Sequence, residues 1–162
     1  MTDGVTIRAA TRGDVPVILE LIRGLAEYEK LAHECVASEA ALLATLFGPR
    51  PQAEVLIAMV DGTPAGFALF FPNYSTFLAQ QGIYLEDLFV KPAFRGRGIG
   101  KQLLIHLAQL AVERKCGRLE WSVLDWNQDA IRFYESLGAK AMDEWTVFRV
   151  TGPALATLAG KR

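Results

Sequence analysis

A basic loop rich in glycine, FRGRGIGK at residues 94–101, has the composition of an anion-binding segment. Glycine allows a backbone to approach a ligand closely, and the first N–H groups of a helix have no acceptor within that helix. Together with nearby positive charge, these groups suit a pyrophosphate. The alternative is a tight turn from strand to helix with solvated arginines. The candidate binding residues are Arg95, Gly96, Arg97, Gly98, Ile99, Gly100 and Lys101.

Two common phosphate-binding motifs do not fit this loop. A Walker A loop has a glycine five residues before its Gly-Lys pair and a serine or threonine after it, but Arg95 and Gln102 stand at those positions. The dinucleotide fingerprint G-x-G-x-x-G also fails, because only one residue separates Gly98 from the next glycine. We therefore expect any phosphate to be bound by a loop of another type.

The composition indicates one compact domain over residues 1–162, because 51% apolar residues suffice for one sizeable core. Seventeen basic and eighteen acidic residues nearly balance, which argues against nucleic acid and against a charge-driven membrane contact. The sequence shows no leader pattern and no apolar stretch of about 18 residues. Cys35 and Cys116 form no C-x-x-C pair, which favours a reducing compartment. We expect a cytoplasmic protein with neither nucleic acid nor a membrane as partner.

No metal site is predicted. His33 and His106 lie far apart in the sequence and lack the spacing of metal ligands. Cys116, beside Gly117 at a predicted helix end, fits a small buried residue better than a nucleophile.

The elements that position the glycine loop alternate between strand and helix patterns. Their predicted order is β-α-α-β-β-β-α-β-α-β: VTIRAA, VPVILELIRGLAEYEK, SEAALLATLFG, AEVLIAMV, PAGFALFF, GIYLEDLFV, the helix after the loop, RLEWSVL, NQDAIRFYESLG and EWTVFRV. The Asp61-Gly62 pair predicts a tight hairpin between two of the strands. This order indicates an α/β fold with a mixed sheet.

Two linked motifs resemble those of the GNAT acetyltransferases. RGRGIG fits the Q/R-x-x-G-x-G/A signature that binds the acetyl-CoA pyrophosphate, and VLDWNQDAIRFYESLGA is similar to the second signature of that family. Within that superfamily, the chain resembles the spermidine/spermine and thialysine acetyltransferases over nearly its whole length. The segments that carry this resemblance are IRAATRGDVPVILELIRGLAEYEK, YLEDLFV and WNQDAIRFYESLGA. The resemblance implies a GNAT-like, mostly antiparallel central sheet with helices on both faces.

The resemblance also implies a role for individual residues in binding acetyl-CoA. The strand segment assigned to the pantetheine arm is Leu88, Phe89 and Val90. The loop from Arg95 to Lys101 corresponds to the phosphate-binding loop. Asn127 corresponds to an asparagine that helps fix the cofactor, and Tyr134 to a tyrosine near the thioester sulfur.

Acetyl transfer to an amine needs a proton acceptor, because an alkylamine with a pKa of roughly 10.4 is mostly protonated at neutral pH. Glu86 lies on YLEDLFV, two residues before the segment assigned to the cofactor. Strand alternation puts Tyr84, Glu86 and Leu88 on one face. Asp87 then lies on the other. Glu86 is the predicted base, acting through water, although it could instead only attract the cation. Asp87 is the alternative candidate for the base.

The departing CoA thiolate needs a proton donor, and Tyr134 is predicted to fill that role. Backbone N–H groups near Leu88 would stabilise the oxyanion. Phe133 and Tyr134 could equally be core residues of a helix, because Ile131, Tyr134 and Leu137 recur at helical spacing.

The acceptor implied by the resemblance is a primary amine of a small molecule, either a polyamine, a diamine or a lysine-like amino acid. Tyr28 and Glu29 match its amine-contacting segment, and the reacting nitrogen would sit near Glu86. Glu120 and Glu144 would add negative charge if their strands border the same cleft. Each of these acids could instead be a solvated surface charge.

Two other functions remain open. The chain could acetylate a protein lysine or N terminus, which would require an open groove. It could also bind acyl-CoA without catalysis, which the presence of both Glu86 and Tyr134 disfavours. The resemblance further implies a homodimer, for which WTVFRV and GPALATLAG offer apolar residues.

Overall fold

The computed structural model describes residues 4–160, which form five strands and five α-helices. The strands are β1 (Val5–Ala9), β2 (Glu54–Val60), β3 (Thr63–Ser75), β4 (Gln80–Val90) and β5 (Leu119–Trp121). The helices are α1 (Val15–Tyr28), α2 (Glu39–Leu46), α3 (Ile99–Glu113), α4 (Gln128–Ser136) and α5 (Gly152–Leu158).

The strands form one sheet in the order β1-β2-β3-β4-β5. Neighbouring strands are antiparallel except β4 and β5, which are parallel and are joined by the crossover helix α3. Asp61 and Gly62 have positive φ angles of 48° and 82° and make the tight β2–β3 turn that their sequence predicts. The predicted α/β fold with a mixed, mostly antiparallel sheet is confirmed.

Helices cover both faces of this sheet. On one face, α1 and α2 form a buried cluster with strand side chains that include Ile57, Phe67 and Phe89. On β2 the alternate residues Leu56 and Ala58 are buried as well, although they point to the opposite face. That face is covered by α3, which contacts the sheet through an apolar stripe of buried residues.

The chain divides into two compact units between Leu124 and Asp125. The first contains the sheet with α1, α2 and α3. The second contains α4 and α5, joined by a segment at 137–151 that has no strand. Helix α5 was not predicted, although Thr151 at its N-cap and a proline in its first turn are helix-start signals.

The predicted last strand, EWTVFRV at 144–150, is therefore wrong for the structure described. Its alternating apolar residues fit a strand, but a strand also needs a neighbour that satisfies its backbone hydrogen bonds. Among the described residues, this segment forms no strand. Its side chains Trp145 and Phe148 are 77% and 89% exposed. The predicted strand RLEWSVL does form, but only over the three residues of β5.

No helix within residues 4–160 combines the length and the apolar character that crossing a membrane requires.

Candidate active site

Strand β4 carries a β-bulge at Glu86. Asp87 pairs with Leu69 on β3, and the next pair along the two strands is Leu85 with Phe70. Glu86 lies between these two pairs and has no partner on β3. A bulge bends its strand and changes the direction of the side chains beside it. The two carboxylates of β4 are therefore not placed by simple alternation.

The bulge corrects the predicted faces of β4. Simple alternation would place Tyr84 and Leu88 on the same face of the sheet. Their partners on β3 are Phe71 and Ala68, which are an odd number of residues apart and so point to opposite faces. The predicted arrangement is wrong across the bulge for this reason. Asp87 lies on the face that α1 covers, because its partner on β3 packs against the α1 cluster.

Helix α1 approaches β4 closely at Gly24. A Cβ atom at this position would lie only 2.8 Å from Cε2 of Phe89, so a side chain here would displace the ring. Glu20, earlier on α1, forms an ion pair with Lys91 at 2.9 Å, so α1 runs antiparallel to β4. Its C-terminal end, with Tyr28 and the cap residue Glu29, therefore lies towards the bulge. In this arrangement, besides burial, the charge of Glu86 contributes to a raised pKa of Glu29.

Three carboxylates, Glu29, Glu86 and Asp87, thus form an acidic cluster between α1 and β4. Burial raises the pKa of Asp87 to about 7, and the charges of Glu86 and Glu29 contribute to this rise. Burial, followed by the charge of Glu86, also raises the pKa of Glu29. The cluster disfavours its own negative charge and therefore favours a bound cation or a bound proton.

One edge of β4 is open beyond the bulge. Strand β5 pairs with β4 only from Ile83 to Leu85, whereas β4 continues to Val90. Among the described strands, none pairs with this edge of β4 after Leu85. Backbone groups directed at an open edge can bind an extended ligand as a further strand. The segment predicted to contact the pantetheine arm, Leu88 to Val90, lies on this open part.

The glycine loop leads from β4 into α3. Gly96 and Gly98 have positive φ angles of 80° and 76°, which residues with a Cβ atom rarely adopt, and Gly98 is the N-cap of α3. The side chain of Ile99 is only 2% exposed, so a ligand at this position could contact only its backbone. Gly100 has no such conformational need, because an added Cβ would meet nothing closer than 3.9 Å.

The side chain of Arg95 is used within the protein itself. Its Nε donates a hydrogen bond to the carbonyl oxygen of Val90 at 2.9 Å. Its guanidinium carbon lies 4.7 Å from the ring centroid of Tyr28 and 5.6 Å from that of Phe89. Arg95 thereby joins the glycine loop to the end of α1. The terminal N–H groups of the guanidinium do not take part in the bond to Val90, so the predicted phosphate contact of Arg95 stays a prediction.

The other two cations of the loop are more open to a ligand. The guanidinium carbon of Arg97 lies 5.6 Å from the ring centroid of Phe94, and the residue is exposed. Lys101 is exposed on the first turn of α3. Their predicted phosphate contacts stay predictions.

Glu120 has a hydrogen-bonding partner outside the acidic cluster. Its Oε1 accepts a hydrogen bond from Nδ2 of Asn73 at 3.1 Å, beside the β3–β4 hairpin. Its neighbour across the β4–β5 ladder is Tyr84, whose hydroxyl lies 2.7 Å from Oγ of Ser122. Glu120 is not among the charges that raise the pKa of Asp87. Its predicted contact with the substrate stays a prediction.

The remaining candidate residues lie in the second unit. Asn127 is the N-cap of α4, where its side-chain oxygen accepts a hydrogen bond from the backbone N–H of Ala130 at 3.3 Å. Tyr134 is half-buried on α4, with its ring centroid 5.6 Å from that of Phe133. Glu144 is exposed in the segment without a strand. Their predicted functions stay predictions.

Over residues 4–160, no group of three or more His, Cys, Asp and Glu side chains has the arrangement of a metal site.

The fold and the two signatures agree with a single family. The model of the Acetyltransferase (GNAT) family matches residues 22–139, a span that runs from α1 past the end of α4. The chain belongs to the GNAT acetyltransferases, enzymes that transfer an acetyl group to an amine.

Individual relatives make the comparison more specific. The chain is 42% identical to thialysine N-epsilon-acetyltransferase from Bos taurus, over 97% of this chain and 98% of that protein. It is 38% identical to L-ornithine N5-acetyltransferase from Arabidopsis thaliana, over 92% of this chain and 85% of that protein. An integron cassette protein from the mobile metagenome of V. cholerae has a similar structure, with a TM-score of 0.79, 30% identity, and coverage of 96% of this chain and 98% of that one. The resemblance to the thialysine acetyltransferases is confirmed.

Proposed function

We propose that the chain transfers an acetyl group from acetyl-CoA to a primary amine of a small molecule. The observation that carries this proposal is the open edge of β4 after Leu85, which leads directly into the glycine loop and α3. An extended arm that contains amide groups suits such an edge, and a pyrophosphate suits such a helix start. We further propose that residues 1–162 act as one domain, because the family match spans both compact units. The proposed compartment is the cytoplasm, which the spacing of the two cysteines favours.

The residues present fit acetyl-CoA, which when bound supplies the acetyl group as an activated thioester. The groups that would hold it are the backbone of Leu88, Phe89 and Val90, the loop Arg95–Lys101, and Asn127. Ile99 would contribute its backbone N–H group, because its side chain is buried. Arg95 would contribute the terminal N–H groups of its guanidinium, because only its Nε donates to Val90 and its backbone N–H donates to Pro92. Arg97 and Lys101 would contribute charge-assisted contacts with phosphate.

The chain's own residues then divide the proton chemistry. The acidic cluster attracts the ammonium group and accepts its proton, which frees the lone pair of the amine for attack on the acetyl carbon. Backbone N–H groups near Leu88 stabilise the negative charge that develops on the carbonyl oxygen. Tyr134 donates a proton to the departing thiolate, a role supported by its position in RFYESLGA.

The proposed acceptor is a lysine-like amino acid, a diamine or a polyamine. The two relatives are named for thialysine and L-ornithine, which are amino acids with an amine on the side chain. A polyamine needs an acid at its far end, whereas an amino acid needs a cation or backbone N–H groups for its carboxylate. Tyr28 and Glu29 are the proposed far contacts, with Glu120 and Glu144 as further candidates.

Replacement of Glu29 by glutamine should distinguish these acceptors. We expect Glu29→Gln to raise the KM for spermidine, because one cation attraction in a partly closed cleft is worth on the order of 1–2 kcal/mol, or about 5- to 30-fold. The KM for thialysine should change less. Glu27→Gln removes the same charge from an exposed position on α1 and serves as the control. An unchanged KM for every accepted amine would remove Glu29 from the site.

A panel of acceptors tests the proposed function as a whole. Release of the CoA thiol should be measured with polyamines, diamines, lysine-like amino acids and peptides that carry a lysine or a free N terminus. We expect turnover with one of the three small-molecule groups and none with the peptides. Turnover with peptides alone would make the chain a protein acetyltransferase. Acetyl-CoA binding without any turnover would make it a binding domain.

We propose that two chains associate through the second unit. Trp145, Val147, Phe148 and Leu158 are 77%, 83%, 89% and 74% exposed, and apolar side chains exposed to this extent are typical of an interface. Sedimentation velocity at micromolar concentration should give about twice the mass of the 17.8 kDa chain. A Trp145→Ser, Phe148→Ser double variant should sediment as a monomer. A wild-type monomer at all concentrations would refute the dimer.

A further inference from the structure

Asp87 differs from the other two carboxylates of the acidic cluster in its surroundings. Asp87 alternates with Phe89 past the bulge and so lies on the face of the sheet that α1 covers, where it is half-buried beside this core residue. Glu86, the unpaired residue of the bulge, is exposed. Among the described residues, no basic side chain forms an ion pair with Asp87.

Charged groups on the elements around Asp87 leave its carboxylate uncompensated. Glu29 at the end of α1 and Glu86 on β4 both raise its pKa, and burial has a larger effect than either. Of the other charged groups on these elements, Glu20 of α1 pairs with Lys91, Arg95 contacts Val90 and Tyr28, and Glu120 of β5 accepts from Asn73. Arg23, Glu27 and Lys30, on or just after α1, are exposed, and none of these groups is among the charges that shift the pKa of Asp87. β3 contributes no charged side chain.

We propose that Asp87, and not Glu86, takes the proton from the ammonium group of the acceptor, while Glu86 and Glu29 attract that cation. This inference rests on the proposed function. The uncompensated and half-buried position makes Asp87 the carboxylate that gains most from a proton. Its pKa of about 7 also suits proton transfer at neutral pH better than that of an ordinary carboxylate does.

The proton balance of the step is complete. The ammonium group passes one proton to Asp87, and its nitrogen then forms the C–N bond while the C–S bond of the thioester breaks. A second proton leaves the nitrogen as the amide forms and, through solvent, restores the proton that Tyr134 gives to the thiolate. The third remains on the amide nitrogen. Asp87 returns its proton to solvent before the next turnover.

The test compares Asp87→Asn with Glu86→Gln, two variants that each remove one charge with little change in shape. In the wild type, kcat/KM should fall as the pH is lowered through about 7, which gives the pH profile an acid limb. We expect Asp87→Asn to lower kcat about 100-fold or more and to remove this acid limb. Glu86→Gln should keep the limb and move it to lower pH, because it removes a charge that raises the pKa of Asp87.

A weakly basic acceptor separates loss of the base from damage to the site. Trifluoroethylamine is unprotonated at neutral pH, so Asp87→Asn should turn it over at a rate within about threefold of the wild type. Calorimetry should show acetyl-CoA affinity unchanged in both variants, which verifies that they are folded.

Three results would overturn the inference. The first is an Asp87→Asn variant that keeps its kcat and its acid limb. The second is loss of the limb in Glu86→Gln alone, and the third is an equal loss of rate with trifluoroethylamine. In each case the wild type still acetylates amines, so the proposed function stands. A wild type that acetylates no amine would refute the proposed function and this inference together.

Discussion

The Tyr134→Phe variant should lose about 100-fold or more of its turnover while it keeps its affinity for acetyl-CoA within a few fold. The substitution preserves the ring on α4 and removes only the hydroxyl group, so the half-buried packing of the helix face should survive. A thiolate that departs without a proton donor is a poor leaving group, and general acid catalysis contributes about 10²- to 10⁴-fold. Single-turnover measurement of thiol release, combined with calorimetry of acetyl-CoA binding, separates the two effects.

Tyr74→Phe is the matched control for this experiment. Tyr74 is 66% exposed on β3, and loss of its hydroxyl should leave both turnover and affinity unchanged. If Tyr134→Phe turned over at the wild-type rate, its hydroxyl would not be the acid and water would have to supply the proton. A kcat that falls together with acetyl-CoA affinity would instead indicate a packing role, which is the alternative that the helical spacing leaves open.

Sequence patterns predicted the elements of the first unit well because its core follows local rules. Known backbone preferences and a few neighbouring residues determine the apolar stripe of α3 and the Asp61-Gly62 turn. The same is true of the glycine loop, whose positive φ angles at Gly96 and Gly98 explain two of its three glycines.

The arrangement of the site could not be predicted in the same way, because it depends on contacts between distant elements. Nothing in YLEDLFV marks Glu86 as the extra residue of a bulge, and alternation therefore misassigned the faces of β4. The importance of Asp87 follows from the face that it shares with Phe89 and from the close approach of α1 to that face at Gly24. The contacts of Arg95 with Val90 and Tyr28 could not be predicted either, because they join the glycine loop to the distant end of α1.

The failure of the last predicted strand has a related cause. The alternation in EWTVFRV describes only which residues would share a face, whereas strand formation also requires an edge with which to pair. Alternation within a segment cannot show whether such pairing forms. The exposed apolar residues of this segment are consistent with a partner surface, which the sedimentation experiment examines directly.

Gly100 offers the sharpest test of the cofactor site, because the fold does not require a glycine there. An alanine at this position would meet no atom closer than 3.9 Å, and α3 should gain slightly in stability since alanine is the better helix former. A methyl group at the start of α3 would nevertheless block close approach of a pyrophosphate to the backbone N–H groups. Loss of one hydrogen bond to a charged group costs about 1.5–3 kcal/mol.

We therefore expect Gly100→Ala to weaken acetyl-CoA binding about 10- to 100-fold in calorimetry, with an unchanged or slightly higher melting temperature. Gly13→Ala is the matched control, because an added Cβ at Gly13 likewise meets nothing closer than 3.9 Å. Gly13 lies in the turn before α1 and not in the glycine loop. The affinity of this variant for acetyl-CoA should equal that of the wild type. Equal affinities in all three proteins would mean that the phosphates lie elsewhere. Gly96 and Gly98 would then serve only the turn from β4 into α3, which is the solvated-loop alternative that their positive φ angles also satisfy.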